Sequence, residues 1–348
     1  MDFAVLLTDD RVVIFKKNEG IVLNEAAVVA GIQPPPKEPK PPKPRKQKKN
    51  SETQPKKAPI PKQPPLKVLA AGDSARKLRD SDPTIILKRP LCDGRVVNPH
   101  LASSLFKTLF KKVNAAAARS CLVCTPCSLT PQELANYKAA VFGGGVSDVA
   151  FIPGVIVQAS ATPQLSIIIG DGGADIAIVA GNEILCGGTV DAGRSEAARQ
   201  LQALIEKRHN TVITETAAKE VLGEVGTLLL NDDAEFTAEG FDIDTEEPRD
   251  ITIKGDDCRK ILQPLYDKIS TAALQLLGDV DAETGDAVCT NGAIVGGSGS
   301  AIMGLREFLS ASLKMPIILT PESRNSVILG AGALLVNDDL IRKIVKAN

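Results

Sequence analysis

The chain has 348 residues, enough for two domains with cores of their own, and a formal net charge of only −1. It has no Trp and only 3% aromatic residues, which argues against a base-stacking nucleic-acid surface, so no nucleic acid is expected as a partner. Its seven cysteines form no paired framework, which points to a reducing compartment, and no apolar run reaches the roughly 18 residues that a membrane-spanning helix needs.

The N-terminus, Met1-Asp-Phe-Ala-Val-Leu-Leu7, lacks a basic region and a small-residue cleavage site, so it reads as a strand and not as a signal peptide. Residues 3–7 and 12–15 read as a hairpin around Thr8-Asp9-Asp10, and residues 21–30 as a third strand. The composition then changes sharply. Residues 33–67 hold twelve Pro, ten Lys and one Arg against two acids, Glu38 and Glu52, leaving 30 basic and 40 acidic side chains for the rest of the chain. Such a stretch has too little apolar surface to offset the entropy of ordering, and is expected to be disordered or polyproline II. Val68-Leu-Ala-Ala-Gly72 resumes the ordered fold.

Leu101, Leu105, Leu109 and Val113 recur at four-residue spacing and predict an amphipathic helix over 100–113. Residues 121–123 read as a strand, and 131–142 as a helix with Thr130 as N-cap. Further helices are predicted over 195–207, 258–277 (with Pro264 as a candidate kink) and 338–346, and a polar hairpin over 241–254.

Two glycine-rich turns carry most of the functional signal. Ile167-Ile-Ile-Gly-Asp-Gly-Gly-Ala-Asp-Ile-Ala-Ile-Val179 reads as strand–turn–strand. Ala293-Ile-Val-Gly-Gly-Ser-Gly-Ser-Ala-Ile-Met-Gly-Leu305 reads as strand–turn–helix, since apolar residues recur at helical spacing from Met303 to Leu313. Glycines at the end of an apolar strand let backbone N–H groups approach a phosphate or a ring closely. Two such turns suggest a nucleotide held between two lobes.

With these turns, the chain resembles the actin/DnaK ATPase superfamily, and within it the MreB-like bacterial actins. Gly20-Ile-Val-Leu-Asn-Glu25, Arg89-Pro-Leu-Cys-Asp-Gly94, Val123-Cys-Thr-Pro126, Thr320-Pro-Glu322 and Gly330-Ala-Gly332 resemble family segments in the family's order, from about residue 3 to 335, broken by one insert. The resemblance implies an α/β, actin-like two-lobed fold of duplicated RNase H-like domains with a nucleotide cleft between the lobes. It implies lobe I over residues 1–143, with the insert at 33–67 and completed by 321–348, and lobe II over 144–320. ATP with magnesium (Mg) is the cofactor it implies, held weakly or not at all for the reasons below.

By the same resemblance, the phosphate side of the site falls on Gly170, Asp171, Gly172, Gly173 and Asp175. The adenosine side falls on Glu224, Gly296, Gly297 and Gly299. The departures matter as much as the matches. The family's Asp-x-Gly in the first hairpin becomes Leu6 and Thr8, the leading Asp of the second becomes Ile168, and the water-positioning acid is lost in Ile152-Pro-Gly-Val155. The Lys that precedes the ribose-contacting Glu becomes Leu222. Magnesium needs oxygen ligands and hydrolysis needs an oriented water, so turnover is expected to be absent or very slow, with no catalytic and no metal residues assigned. The glycines then either keep a nucleotide or only preserve tight turns.

Other chemistry is weaker. Cys121, Cys124 and Cys127 have a metal-like spacing, but a separation of three along a strand puts the first two on opposite faces, so buried thiols are expected. His100 and His209 form no catalytic pair, and Ser298 has no His/Asp partner set.

The expected function is that of a cytoskeletal filament subunit in cell shape. Its partners would be further copies of itself or a paralogue with the full acid set, and cell-wall-synthesis proteins. It would lie in the cytoplasm, at the inner face of the membrane, with the basic insert acting as a solvated spacer, an arm for anionic membrane, or a docking segment for a partner groove. The alternatives are a non-filament scaffold of the same fold, or an ATPase that uses Asp171 or Asp175 as a displaced metal ligand.

Overall fold

The computed structural model describes residues 1–34, 65–113, 120–230, 232–337 and 341. Most of the Pro/Lys-rich stretch lies outside the described residues, as does the helix expected over 338–346 apart from Ile341.

The N-terminal hairpin forms as expected from β1 (Phe3–Leu7) and β2 (Arg11–Lys16). The side-chain hydroxyl of Thr8 closes the turn, accepting from Arg11 N and donating to Arg11 O. β3 (Gly20–Ala26) follows, but the strand expected over 21–30 is two strands. Ala27 N donates to Asp10 O, and β4 (Val29–Ile32) crosses to a second, smaller sheet. Residues 26–30 are buried throughout, so an unbroken apolar run hides the crossing.

β5 (Lys67–Ala71) pairs antiparallel with β4, with Ile32 opposite Lys67. Leu66 is buried in the first core, so the insert ends before it and not at residue 67. α1 (Asp73–Ser81) buries only Ala75 and so lacks an apolar stripe that would announce it. β6 (Ile86–Lys88) completes the small sheet, and β7 (Leu91–Cys92) with β8 (Arg95–Val96) makes a tight hairpin. Its central residues, Asp93 and Gly94, both have positive φ, as a two-residue Asp-Gly hairpin turn requires.

α2 (Pro99–Lys112) is capped by Asn98 and buries the predicted Leu101, Leu105 and Leu109. β9 (Ser120–Thr125) leads to α3 (Pro131–Gly143), where Thr130 and Glu133 form a capping box. β10 (Asp148–Pro153) and the short α4 (Gly154–Gln158) come next. Three strands then run in a meander: β11 (Gln164–Ile169), β12 (Ala174–Ala180) and β13 (Glu183–Val190). α5 (Arg194–His209), β14 (Thr211–Val212), α6 (Glu215–Glu224) and the hairpin β15 (Glu235–Asp242) and β16 (Pro248–Lys254) follow. α7 (Gly255–Gly278) runs on through Pro264. α8 (Ala282–Asn291), β17 (Ala293–Gly296), α9 (Leu305–Leu313), β18 (Ile317–Leu319) and α10 (Ser326–Leu334) complete the described fold.

The two large sheets repeat one plan. The first has the order β10-β9-β1-β2-β3 and the second β13-β12-β11-β17-β18. In each, a three-strand antiparallel meander opens the sheet, a later strand adds in parallel to its first member, and a further strand adds in parallel to that one. This internal duplication is what the resemblance implies. β10 pairs with β9 over 148–153, so the first sheet runs past residue 143, where the sequence reading placed the lobe boundary.

α2 and α3 cover one face of the first sheet, and α10 covers the other. α5, α6, α7 and α9 cover one face of the second, and α4 covers the other. α4 and α10 therefore lie against each other between the sheets and join the halves. They approach closely at Gly330, where an added Cβ would lie 2.5 Å from Val157 O. Gly330→Ala is expected to lower stability by about 1–3 kcal/mol through overpacking. Gly285→Ala in α8, where nothing lies within 4 Å, should instead stabilise by about 0.4–1 kcal/mol. Denaturant unfolding of both variants reads the contrast, and equal effects would remove Gly330 as a close contact.

Candidate functional site

The turns of the two meanders face each other across the junction of the halves. Gly170 N donates to Gly173 O and closes the second turn, while Ser195 N donates to Asp171 O and fixes the start of α5 against it. Two adjoining cavities lie here, an inner one of about 90 Å³ and an outer one of about 560 Å³.

The inner cavity is where the resemblance places phosphate and metal. Gly170, Asp171, Gly172, Gly173 and Asp175 all line it. The turns leave little room between them. A Cβ on Gly172 would lie 2.3 Å from Asp9 Oδ2 and 2.5 Å from Asp93 Cα. Asp9 is held there by Gly94 N, which donates to its Oδ1 at 2.9 Å. Burial pushes the Asp9 carboxyl above its ordinary value, and the charges of Asp93 and Asp171 add to this. Among the described residues Asp9, Asp93, Asp171 and Asp175 line the cavity and no Lys or Arg does. Asp175 turns away from the turns, accepting from Thr189 Oγ1 at 2.7 Å and Cys127 Sγ at 3.6 Å, and burial raises its pKa.

The positions that lost their acids converge. Leu6, Ile168 and Gly154 line one wall together with Val327. A Cβ on Gly154 would touch Ile168 Cδ1 at 3.1 Å. Leu6 and Ile168 pack against the apolar cluster under α10. A magnesium ion with its waters would meet carbon on this floor, and although four aspartates line the cavity, among the described residues no three acidic, His or Cys side chains converge to hold a metal, so the metal does not fit.

The outer cavity is charged. Lys219 is buried, and its ammonium lies 3.0 Å from Glu215, 3.6 Å from Asp10 and 3.9 Å from Asp171. Arg89 reaches Glu215 at 3.2 Å and Asp10 at 3.9 Å, and Arg194 reaches Asp171 at 3.6 Å. The cluster joins the first sheet's turn to helices of the second. Burial works against the Glu215 carboxylate, but Lys219 and Arg89 outweigh it and hold its pKa below the ordinary value. Asp171 is 5% exposed, and its Oδ1 has no hydrogen-bond donor. Glu224, Leu222, Ser298, Ala301 and Ile302 line the far wall, where the resemblance places adenosine.

The second glycine turn differs from its reading. Gly296, Gly297 and Gly299 line neither cavity. Added Cβ atoms at Gly297 and Gly299 would strike Ile169, at 2.4 Å from its O and 2.4 Å from its Cγ2 respectively. One at Gly296 would strike Gln158 Oε1 and Ser326 Oγ, both at 2.5 Å. Gly297 and Gly299 allow close approach to β11 and Gly296 to α4 and the start of α10, and residues between and after them face the outer cavity. Lys219, Arg89, Glu215, Asp10, Arg11 and Arg324 are functional candidates that the sequence reading missed. They are spread from residue 10 to 324, so no spacing gathers them. Lys219 has one readable signal, standing one helical turn before Leu222, where the family's Lys is lost. The cysteines lie as expected on opposite faces of β9, Cys121 under α2 and α3 and Cys124 under α10, so the two cannot share a metal.

The Asp9 carboxyl yields a pH prediction. With its folded pKa raised, Asp9 costs stability above that pKa, and the cost disappears as pH falls through it toward the unfolded value. Asp9→Asn should therefore raise the unfolding midpoint at pH 7, and the gain should shrink to nothing under acidic conditions. Thermal unfolding across a pH series reads this, and a gain that persists in acid would place its cause elsewhere.

Comparison with known proteins agrees with this geometry. The family model "MreB/Mbl protein" matches residues 57–343. The cell shape-determining protein Mbl of Bacillus subtilis (strain 168) is 26% identical over 98% of this chain and 98% of its own. The crystal structure of MreB5 of Spiroplasma citri bound to ADP superposes with a TM-score of 0.81 at 19% identity, covering 100% of this chain and 99% of that one. The MamK double helical filament gives a TM-score of 0.73 at 15% identity, over 96% and 99%. The fold is thus the actin-like one, and the chain belongs to the MreB/Mbl family.

Proposed function

We propose that this chain is a cytoskeletal, cell-shape subunit that assembles head-to-tail into filaments, holds an adenine nucleotide weakly in the outer cavity, and does not hydrolyse it. Family membership supports the cytoskeletal role. Self-association draws on the filament formed by the MamK relative, and head-to-tail contacts give open filaments when the rotation does not close. Nucleotide binding draws on the ADP-bound MreB5 relative and on Glu224 and the apolar wall of Leu222 and Ile302. The lobes are assigned as 1–153 with 321–348, and 154–320.

The observation that carries the loss of turnover is the apolar floor. Leu6, Ile168 and Gly154 meet at one point, so all three acid positions are replaced by one packed surface. Magnesium-dependent phosphate release should be absent. Calorimetric titration should show weak ATP binding that Glu224→Ala weakens further by about 1–3 kcal/mol. Because hydrolysis is what loosens an actin-like polymer, filaments seen by sedimentation or negative stain should be long-lived. Ready phosphate release would sink the degenerate-site reading, and a strictly monomeric protein at high concentration would favour a scaffold instead.

We assign the basic insert as an electrostatic arm for anionic membrane, placing the protein at the inner face of the cell membrane. Ile32 pairs with Lys67 and Leu66 is buried, so residues 33–65 are replaceable by a short turn that keeps the β4–β5 hairpin. With only Glu38 and Glu52 opposing its cations, the arm should bind anionic vesicles in a salt-sensitive way. Vesicle co-sedimentation of the full chain and the shortened chain reads this. Equal binding by both, or binding indifferent to salt, would leave the insert as a spacer or a docking segment.

A further inference from the structure

The two cavities differ in how they treat negative charge. The inner one has four carboxylates and no cation on its walls. Without a metal to offset them, those carboxylates repel a phosphate chain, and Asp9 against Gly172 already fills the gap between the turns. The outer cavity has the opposite character. Six cations line it against five acids. Lys219, Arg89 and Arg194 pair with Asp10, Glu215 and Asp171, which leaves Arg11, Arg76 and Arg324 with Glu220 and Glu224. Among the described residues none of these five is in an ion pair.

Arg11 and Arg324 are held together in spite of their like charge, Arg11 donating from its guanidinium to the main-chain O of Arg324. Burial pushes the Arg11 guanidinium below its ordinary value, and the charge of Arg324 adds to this. Asp171 and Asp10 offset part of this from a distance without closing an ion pair on Arg11, so a half-buried guanidinium beside the exposed Arg324 still gains from a bound anion. Glu224, Leu222 and Ser298 line the same cavity, and at about 560 Å³ it falls within the range of small-molecule sites.

We propose that Arg11 and Arg324, with Arg76 at the rim, form a polyphosphate-binding subsite in the outer cavity that takes the phosphate tail of a nucleotide without magnesium. The tail then turns outward to the cleft mouth, past the end of the first turn at Arg11 and away from the inner cavity between the turns. The assignment rests on the nucleotide reading above for the adenosine end, but the arginines are specific for the phosphate chemistry alone. Fork-shaped donors fit phosphate oxygens in pairs, which makes Arg the suited residue.

The test is titration calorimetry in EDTA with inorganic tripolyphosphate, ATP and adenosine as separate probes, on wild type, Arg324→Gln and the double variant Arg11→Gln with Arg324→Gln. The Arg324 side chain is exposed and makes no ion pair, so its single variant should fold, and a thermal unfolding midpoint checks this. Tripolyphosphate and ATP should bind wild type without magnesium and lose on the order of tenfold in affinity in Arg324→Gln, with more lost in the double variant. Adenosine binding should not change. Wild type that fails to bind tripolyphosphate, or variants that bind it as tightly, would overturn the subsite. Tripolyphosphate binding without ATP binding would uphold the subsite and sink the nucleotide reading. ATP binding indifferent to Arg324 would do the reverse.

Discussion

The buried ammonium of Lys219 constrains the rest of the cleft. A cation at this depth is stable only with counter-charges around it. It has three, and they come from both halves: Asp10 from the β1–β2 turn, Asp171 from the β11–β12 turn and Glu215 from its own helix. Removing any one leaves the others less compensated, so the halves are tied by a cluster that behaves as a unit. In the family the same two turns converge on phosphate. Here the chain supplies its own anions at the turns and its own cation between them.

That exchange explains why the inner cavity is small. A nucleotide-dependent cleft needs space between its turns, a cation, and oxygen ligands for that cation. This chain has Asp9 wedged against Gly172 in the space, an apolar floor where the ligands were, and Lys219 as the cation. Each feature suits the others. The carboxylate of Asp171 is tolerable at 5% exposure because Arg194 and Lys219 flank it. The contacts that hold the two halves together here are accordingly supplied by the chain's own side chains.

The sequence disclosed the fold through local signals that tertiary packing did not override. The hairpin of β1 and β2, the four-residue spacing of Leu101, Leu105 and Leu109, and the capped start at Thr130 each appear where their chemistry places them. It hid α1, whose surface is almost wholly polar, and the crossing at Ala27, which lies inside an apolar run. At the site it disclosed which acids were missing, since absence from a motif is visible at fixed spacing. It did not disclose what replaced them. The ion-pair cluster draws on residues from Asp10 to Lys219, and a charge pattern of that separation has no period to read. The glycines at 296, 297 and 299 are the complementary case. Their conformation was legible, but whether a tight backbone approach serves a ligand or a neighbouring strand depends on which side the neighbour lies.

The floor of the cleft also explains why the lost acids form a stable state and not a set of independent defects. Ile168 packs into the cluster under α10 and into the one around α4, and Leu6 shares the first of these. α4 and α10 are the elements that join the halves, with Gly154 and Gly330 at their closest approaches. The side chains that stand in for the acids thus belong to the packing between the lobes. An aspartate returned to position 6 or 168 would enter an apolar seam without a metal to meet it, and its unpaired charge would oppose the contacts on which the joint depends. The positions where the resemblance expects acids and the contacts that join the halves thus share one packed surface.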